Sequence, residues 1–389
     1  MEHLKKELQE IENKGLLRKM KLLEGAQEPK VVLEGREVLN LSSNNYLGLA
    51  NDPRIKKAAT EAIEIYGIGS GASRLISGNM ELHAKLEEKI AQFKNAECAL
   101  LFNTGYMANA GIISSFMGKD DIIFSDKLNH ASIVDGIILS RAEYKRYTHC
   151  DVKSLERMLQ SSKGYKNRLI VTDTVFSMDG DVAPLIEIAA LAEKYDAWVF
   201  VDEAHATGVL GKNGKGAVEH FAVEEQIDIQ MGTLSKALGT FGAFVCGSKY
   251  FIDFLINKSR SFIYTTSLPP AICAASIASI DIVLNEPQRR KRLWKNADFL
   301  RNGLKNLGFD TMNSKTTIIP VLIKDVHKTL EFSKELFNEN IYVQSIRHPT
   351  VPEHEARLRV TVTSEHSIND LTYALDTFEA IGKKLGIVQ

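Results

Sequence analysis

The sequence predicts an α/β chain in which a mainly parallel central sheet, flanked by helices, is followed by a smaller α+β C-terminal domain. Three observations lead there. From about residue 55 to 275, short apolar runs rich in β-branched residues alternate with stretches of helical period, the pattern of a parallel sheet covered on both faces. After Leu268-Pro269-Pro270 that alternation gives way to a long helical stretch and then to strands and helices of a different texture. At 389 residues the chain also exceeds what a single hydrophobic core supports. The expected division is an N-terminal helical arm and hairpin (1–45), a large domain (46–280) and a small domain (281–389).

In chain order, Leu4, Leu8, Ile11, Leu16 and Leu22 recur in a helical rhythm over residues 1 to about 25, an amphipathic arm that needs a surface to lie on. Val31–Leu33 and Val38–Leu41, separated by Glu34-Gly35-Arg36-Glu37, read as a hairpin. Asp52-Pro53 opens a helix over 53–66, because proline is preorganised for a first helical turn. Strands are expected near 97–103, 121–125, 143–147, 168–172, 197–202, 227–231 and 242–247. Helices are expected near 105–115, 130–140, 151–160 and 184–195. One long helix is expected over 271–307, then strands near 317–323, 341–345 and 356–363 with helices over 326–338 and 367–386.

Composition narrows the function classes. A formal net charge of −1 gives no reason to expect nucleic acid or an anionic membrane as partner. The four cysteines are scattered without a C-x-x-C pair, which suits a reducing cytoplasm. The first residues, MEHLKK, run into charged helical sequence without the apolar core of a signal peptide, and no apolar run reaches membrane-spanning length.

The chemistry concentrates between Ala197 and Thr240. The buried-strand run Trp198-Val199-Phe200-Val201 ends in Asp202-Glu203-Ala204-His205, placing charged groups at the carboxyl end of a strand, where open α/β sheets bind ligands. GTLSKALG then offers Lys236 among small residues. An amine and a strand-end carboxylate together suit pyridoxal phosphate: the lysine forms an imine and the acid keeps the pyridine nitrogen protonated. FNTGYMAN runs from strand to helix through Gly105, and free N–H groups at a helix start attract phosphate, although such turns are common without a ligand. His130 stands at a helix start, where it is either a cap or a ring able to stack on a planar cofactor. Ser177 follows a further strand, in a turn or with its hydroxyl aimed at the strand-end edge. Arg357 and Arg359 alternate onto one face of a late strand, and a guanidinium there suits a carboxylate.

Other readings fail on context. Gly67-Ile68-Gly69-Ser70-Gly71-Ala72 resembles a dinucleotide loop but follows a helix rather than a strand, which excludes hydride chemistry by that route. Asp202-Glu203-Ala204-His205 spells a string found in nucleoside triphosphatases, yet no G-x-x-x-x-G-K-[ST] loop accompanies it. The ten histidines include no metal-binding pair with a glutamate between them, so no metal is expected.

Taken together, NLSSNNYLGLA, GIGSGASRLISGN, FNTGYMANAG, DKLNHASIVDG, VFSMDGDVAPL, VFVDEAHATGVLG, GTLSKALG, FIYTTSLPP and IRHPTVPEHEARLRVTVTSEHS resemble, in order and over nearly the whole chain, the α-oxoamine synthases. These are pyridoxal-phosphate enzymes of transferase fold type I. The resemblance implies that Lys236 forms the cofactor imine and shuttles the α-proton, Asp202 pairs with the pyridine nitrogen, and His205 bonds the phenolic oxygen with help from Ser177. It implies that His130 stacks on the ring, while Gly105, Tyr106 and Thr233 hold the phosphate with Thr265 or Thr266 of a partner subunit in a homodimer with a shared site. Asn45 and Arg359 would orient the amino-acid carboxylate, and Arg18 would lie near the acyl substrate. GSGASRLISGN and IRHPTVP are similar to the branch that joins L-alanine to pimeloyl-CoA or a pimeloyl carrier protein in biotin biosynthesis. The branch using glycine and acetyl-CoA usually carries a cysteine-containing segment where Ser70-Gly71-Ala72 stands; His348 departs from the proline usual in the first branch. A non-catalytic family subunit is the remaining alternative, and the presence of Lys236 speaks against it.

Overall fold

The computed structural model describes residues Met1–Gln389. Two compact units emerge: Leu49–Ser177 with Val182–Arg290, and Met1–Gly48 with Met178–Asp181 and Lys291–Gln389.

The larger unit is built on seven strands: β1 (Cys98–Phe102), β2 (Ile122–Asp126), β3 (Glu143–Tyr147), β4 (Arg168–Asp173), β5 (Trp198–Asp202), β6 (Ile229–Thr233) and β7 (Ala243–Gly247). They lie in the order β1-β7-β6-β5-β4-β2-β3. Only β7 runs against its neighbours; the pairs β2–β3, β2–β4, β4–β5 and β5–β6 are all parallel. Ile122-Ile123-Phe124, Leu169-Ile170-Val171 and Val199-Phe200-Val201 are completely buried, as strands covered on both faces must be. Each such side chain contributes about 1.5–3 kcal/mol of burial, which makes the strand ends a rigid platform for polar groups. Helices Gly105–Phe116, Ala131–Ser140, Val152–Ser161 and Leu185–Tyr195 connect the strands, and Pro53–Tyr66 follows Asp52, whose carboxylate caps the amide of Arg54. Helices Glu81–Lys94 and Lys249–Lys258 lie outside the segments expected from periodicity.

The smaller unit holds two sheets. Leu23–Glu24, Lys30–Leu33 and Arg36–Asn40 form an antiparallel set joined by parallel Ile341–Tyr342. Ile318–Lys324, Ala356–Thr361 and Gln344–Ile346 form the other, with Ala356–Thr361 central. Its helices are Glu2–Asn13, Val326–Asn338, Ile368–Lys384 and the part of Pro287–Asn306 from Lys291 onward. Two expectations need correction. The helix over 271–307 is two helices, Pro270–Asn285 and Pro287–Asn306, because Pro287 has no N–H to continue the ladder and drives Glu286 out of the helical region (φ −120°, ψ 62°). The arm is helical only over Glu2–Asn13. It stops before Gly15, whose φ of +66° leaves the right-handed helix, and Leu4, Leu8 and Ile11 remain exposed. No helix is long and apolar enough to cross a membrane.

Candidate active site

The parallel strands of the larger unit bring their carboxyl ends to one edge, and there the sheet carries Asp173 on β4, Asp202 on β5 and Thr233 on β6. Asp202 is 4% exposed. Its Oδ1 accepts the Ala204 N–H at 2.8 Å and its Oδ2 accepts from Asn109 Nδ2 at 2.8 Å. Three residues beyond the strand, His205 places Nε2 2.9 Å from Lys236 Nζ. Lys236 arrives from the turn after β6, which is closed by Gly239 N–H to Lys236 O and by Thr240 N–H to Leu234 O. Gly239 (φ +65°) packs so tightly on Leu49 and Ala50 that a Cβ would lie 2.5 Å from Ala50 N, so a side chain there would displace the turn carrying the amine.

His130 caps the Ala131–Ser140 helix. Its backbone N–H donates to Asp173 Oδ2 at 2.7 Å, and its Nδ1 lies 2.7 Å from Ser132 Oγ. Burial lowers the His130 imidazolium pKa, only partly opposed by the Asp202 charge. Burial and then the like charge of Asp202 push the Asp173 carboxyl well above the usual range. An amine, a buried carboxylate and two imidazoles are thus held on one sheet edge.

Glu203 does not join them. It is buried on Lys94, which also reaches the carbonyl of Lys215, while Glu203 Oε1 accepts the Val218 N–H at 2.9 Å. This pair ties down both ends of the loop that contains His205.

At the helix Gly105–Phe116, Thr104 is the cap, accepting the Met107 N–H at 3.2 Å. The amides of Gly105 and Tyr106 occupy the first turn, where a helix offers no internal acceptor. Asn103 Nδ2, just before the helix, donates to Thr266 O at 2.8 Å and Thr265 Oγ1 at 3.3 Å, so the two threonines of this same chain flank that turn. Thr233 Oγ1 donates to Gly242 O at 2.9 Å and accepts the Ser235 N–H at 3.1 Å. Ser177 is half-buried in the turn after β4. The Gly67–Ala72 loop follows a helix, and Ser70 Oγ donates to Ser267 O at 2.8 Å, which ties the loop to the segment carrying the threonines.

Arg18, Asn45 and Arg359 belong to the smaller unit. Arg359 is buried and donates to Asn44 Oδ1 at 3.1 Å; Asn45 Nδ2 donates to Gln27 O at 3.5 Å; Arg18 donates to Thr350 Oγ1 at 3.2 Å. Arg357, on the same face of its strand, is fully buried and held by Asp179 and Glu355, each at 2.7 Å. Its fork is thus taken by Asp179 and Glu355, whereas Arg359 meets Asn44.

Three polar groups at this edge, Asn109, Ser132 and Asp173, are not singled out by the sequence. Asn109 and Ser132 lie inside motifs whose neighbours drew the attention; an amide one turn into an otherwise apolar helix was the available signal. Asp173 ends a strand in the same way as Asp202, and that parallel was its signal.

The residues fit a phosphorylated pyridine aldehyde: an amine for an imine, an acid for a ring nitrogen, an imidazole for a ring face and a helix start for a phosphate. The sequence model of the aminotransferase class I and II family matches residues 36–378. The chain belongs to this family, whose cofactor is pyridoxal 5′-phosphate. It is 53% identical to an 8-amino-7-oxononanoate synthase of Geobacter sulfurreducens over 98% of both chains. It is 52% identical to one of Geotalea daltonii over 100% of this chain and 99% of that one. Among solved structures it resembles a serine palmitoyltransferase from S. paucimobilis with bound PLP–myriocin aldimine, at a TM-score of 0.94 and 34% identity over 99% of this chain and 98% of that one.

Proposed function

We propose that this chain is a pyridoxal-phosphate-dependent acyltransferase that condenses L-alanine with a pimeloyl thioester, pimeloyl-CoA or a pimeloyl carrier protein, in biotin biosynthesis. The thioester's acyl carbon bonds to the α-carbon of alanine as the thiol leaves, and loss of the alanine carboxyl as carbon dioxide gives 8-amino-7-oxononanoate. The observation that carries this reading is the placement of Lys236 Nζ, His205 and Asp202 on adjoining strand ends, in a chain half identical to synthases of that name.

The cofactor, when bound, supplies an electron sink for the α-carbon. Lys236 would hold it, and the Lys236 amine would move the α-proton. Asp202, addressed by two N–H donors and no acceptor, holds a proton on the ring nitrogen. His205, whose Nε2 lies 2.9 Å from Lys236 Nζ, would bond the phenolic oxygen. His130 would cover a ring face and Ser177 would assist His205 at the phenolic oxygen, while the Gly105 and Tyr106 amides would take the phosphate. Thr233 would join them, with Thr265 or Thr266 of a partner subunit completing the set. Arg359 and Asn45 orient the carboxylate of alanine, and Arg18 faces the acyl donor.

A homodimer in the cytoplasm fits this reading. Ile68 within the loop tied to the two threonines and Ile76 just after it are 73% and 81% exposed, and apolar side chains this open are suited to cover by a second copy. Thiol release should be fast with alanine and pimeloyl-CoA and yield a product of the mass of 8-amino-7-oxononanoate. Turnover confined to glycine and acetyl-CoA would overturn the substrate assignment, and absence of bound cofactor would overturn the reading altogether.

A further inference from the structure

One buried amide connects the two halves of the candidate site. Asn109 lies one turn into the Gly105–Phe116 helix, 1% exposed, beside completely buried Ala108, Ile112 and Ile113. Its Oδ1 is buried without a hydrogen-bond partner, which costs about 1–3 kcal/mol. Turning the amide over would not relieve this. It would set Oδ1 against Asp202 Oδ2, two acceptors facing each other at 2.8 Å. The amide is therefore held as a double donor, one N–H to Asp202 Oδ2 at 2.8 Å and the other to Ser132 Oγ at 2.9 Å.

The direction of the remaining bonds follows. Ser132 Oγ lies 2.7 Å from His130 Nδ1 and turns its hydrogen there, because that nitrogen already faces a group that can only donate. The Ser132 backbone N–H points at the same nitrogen from 3.3 Å. A ring nitrogen that accepts carries no proton, so the hydrogen of the neutral imidazole resides on Nε2.

We propose that Asn109 is a positioning residue that fixes, from a single amide, both the carboxylate of Asp202 and the Nε2–H tautomer of His130. Resting on the functional reading above, this makes His130 a one-proton donor toward whatever oxygen lies beside the ring. It also explains why an apolar helix carries an amide with one unsatisfied atom.

The test uses full-length protein labelled with ¹⁵N-histidine, its His130 signals assigned by their loss in His130→Asn. Without cofactor, the wild type should show Nδ1 unprotonated and Nε2 protonated. Asn109→Asp should disturb that pattern, because it cannot donate to Ser132, while Ser132→Ala, which loses the hydroxyl but keeps the backbone N–H, should shift the Nδ1 signal less. Cofactor affinity should fall about ten- to hundredfold in Asn109→Asp, the effect of losing a hydrogen bond to a charged group, and less in Ser132→Ala, which keeps the Asp202 contact. A wild-type signal with the proton on Nδ1, or an Asn109→Asp variant with unchanged signals and affinity, overturns the proposal. If Asn109→Asp fails to fold by circular dichroism, Asn109→Ala, which also removes the donation to Ser132, takes its place, and an unchanged pattern and affinity there are equally fatal. Wild-type protein that takes up no pyridoxal phosphate would sink the functional reading but leave the tautomer measurement standing, so the two failures are separable.

Discussion

Replacing Lys94 by methionine should cost the protein far more than loss of a surface lysine. Both members of the Lys94–Glu203 pair are buried, at 1% and 0% side-chain exposure. The ammonium also meets Lys215 O, and Glu203 is fixed further by the Val218 N–H. Lys94→Met leaves the carboxylate of Glu203 buried opposite a thioether, and breaking such a pair from one side costs about 3–5 kcal/mol. An exposed pair would cost about 0–1 kcal/mol. Lys94→Met/Glu203→Gln removes both charges and should recover much of the loss, since the amide oxygen can still accept from Val218. Urea unfolding of the three proteins gives the comparison through their midpoints and slopes. Because the pair anchors the loop holding His205, the single variant should also bind pyridoxal phosphate more weakly than the double one. A loss below about 1 kcal/mol, or a double variant no more stable than the single, would refute the role assigned to this pair.

Asp202→Asn should still bind cofactor but turn over about 10²–10³ times more slowly, as when one preorganised group facing developing charge is removed; steady-state thiol release measures it, and near-normal turnover would exclude the ring-nitrogen role. Arg359→Met should raise the KM for alanine about ten- to hundredfold, the worth of a charge-assisted hydrogen bond, with little change in the KM for the thioester; an effect confined to the thioester would move Arg359 to the acyl donor. Stability should fall as pH drops from about 6.5 to about 4, because burial lowers the pKa of His366 to about 4. In that window the unfolded chain takes up a proton that the folded one refuses, a loss of about 3 kcal/mol across it. The loss should shrink in His366→Gln when urea midpoints are compared, and an unchanged slope would place the pH dependence elsewhere.

Much of the architecture was legible because local and tertiary demands agree. Pro53–Tyr66 begins where Asp52 caps and Pro53 initiates, and β4 and β5 were readable because strands buried on both faces are apolar throughout. Periodicity alone carried the 271–307 helix across Pro287, where the missing N–H decides the matter. It also carried the arm past Gly15, whose positive φ ends the right-handed helix. Lys236, Asp202 and His205 stood out as polar groups at the ends of apolar runs. Asn109 did not, because its meaning lies in contacts 93 residues away at Asp202 and 23 away at Ser132. Nor did the different partners of Arg357 and Arg359: alternation puts both on one face, and only the fold shows that Asp179 and Glu355 hold the first while Asn44 meets the second.

Borohydride reduction of the purified yellow protein, followed by peptide mapping, addresses the imine directly. Covalent pyridoxyl label should appear on Lys236 alone, with loss of colour and of condensation in step. Label on any other lysine, in protein that condenses alanine with pimeloyl-CoA, would contradict the assignment of the amine and with it the role given to the sheet edge around Asp202.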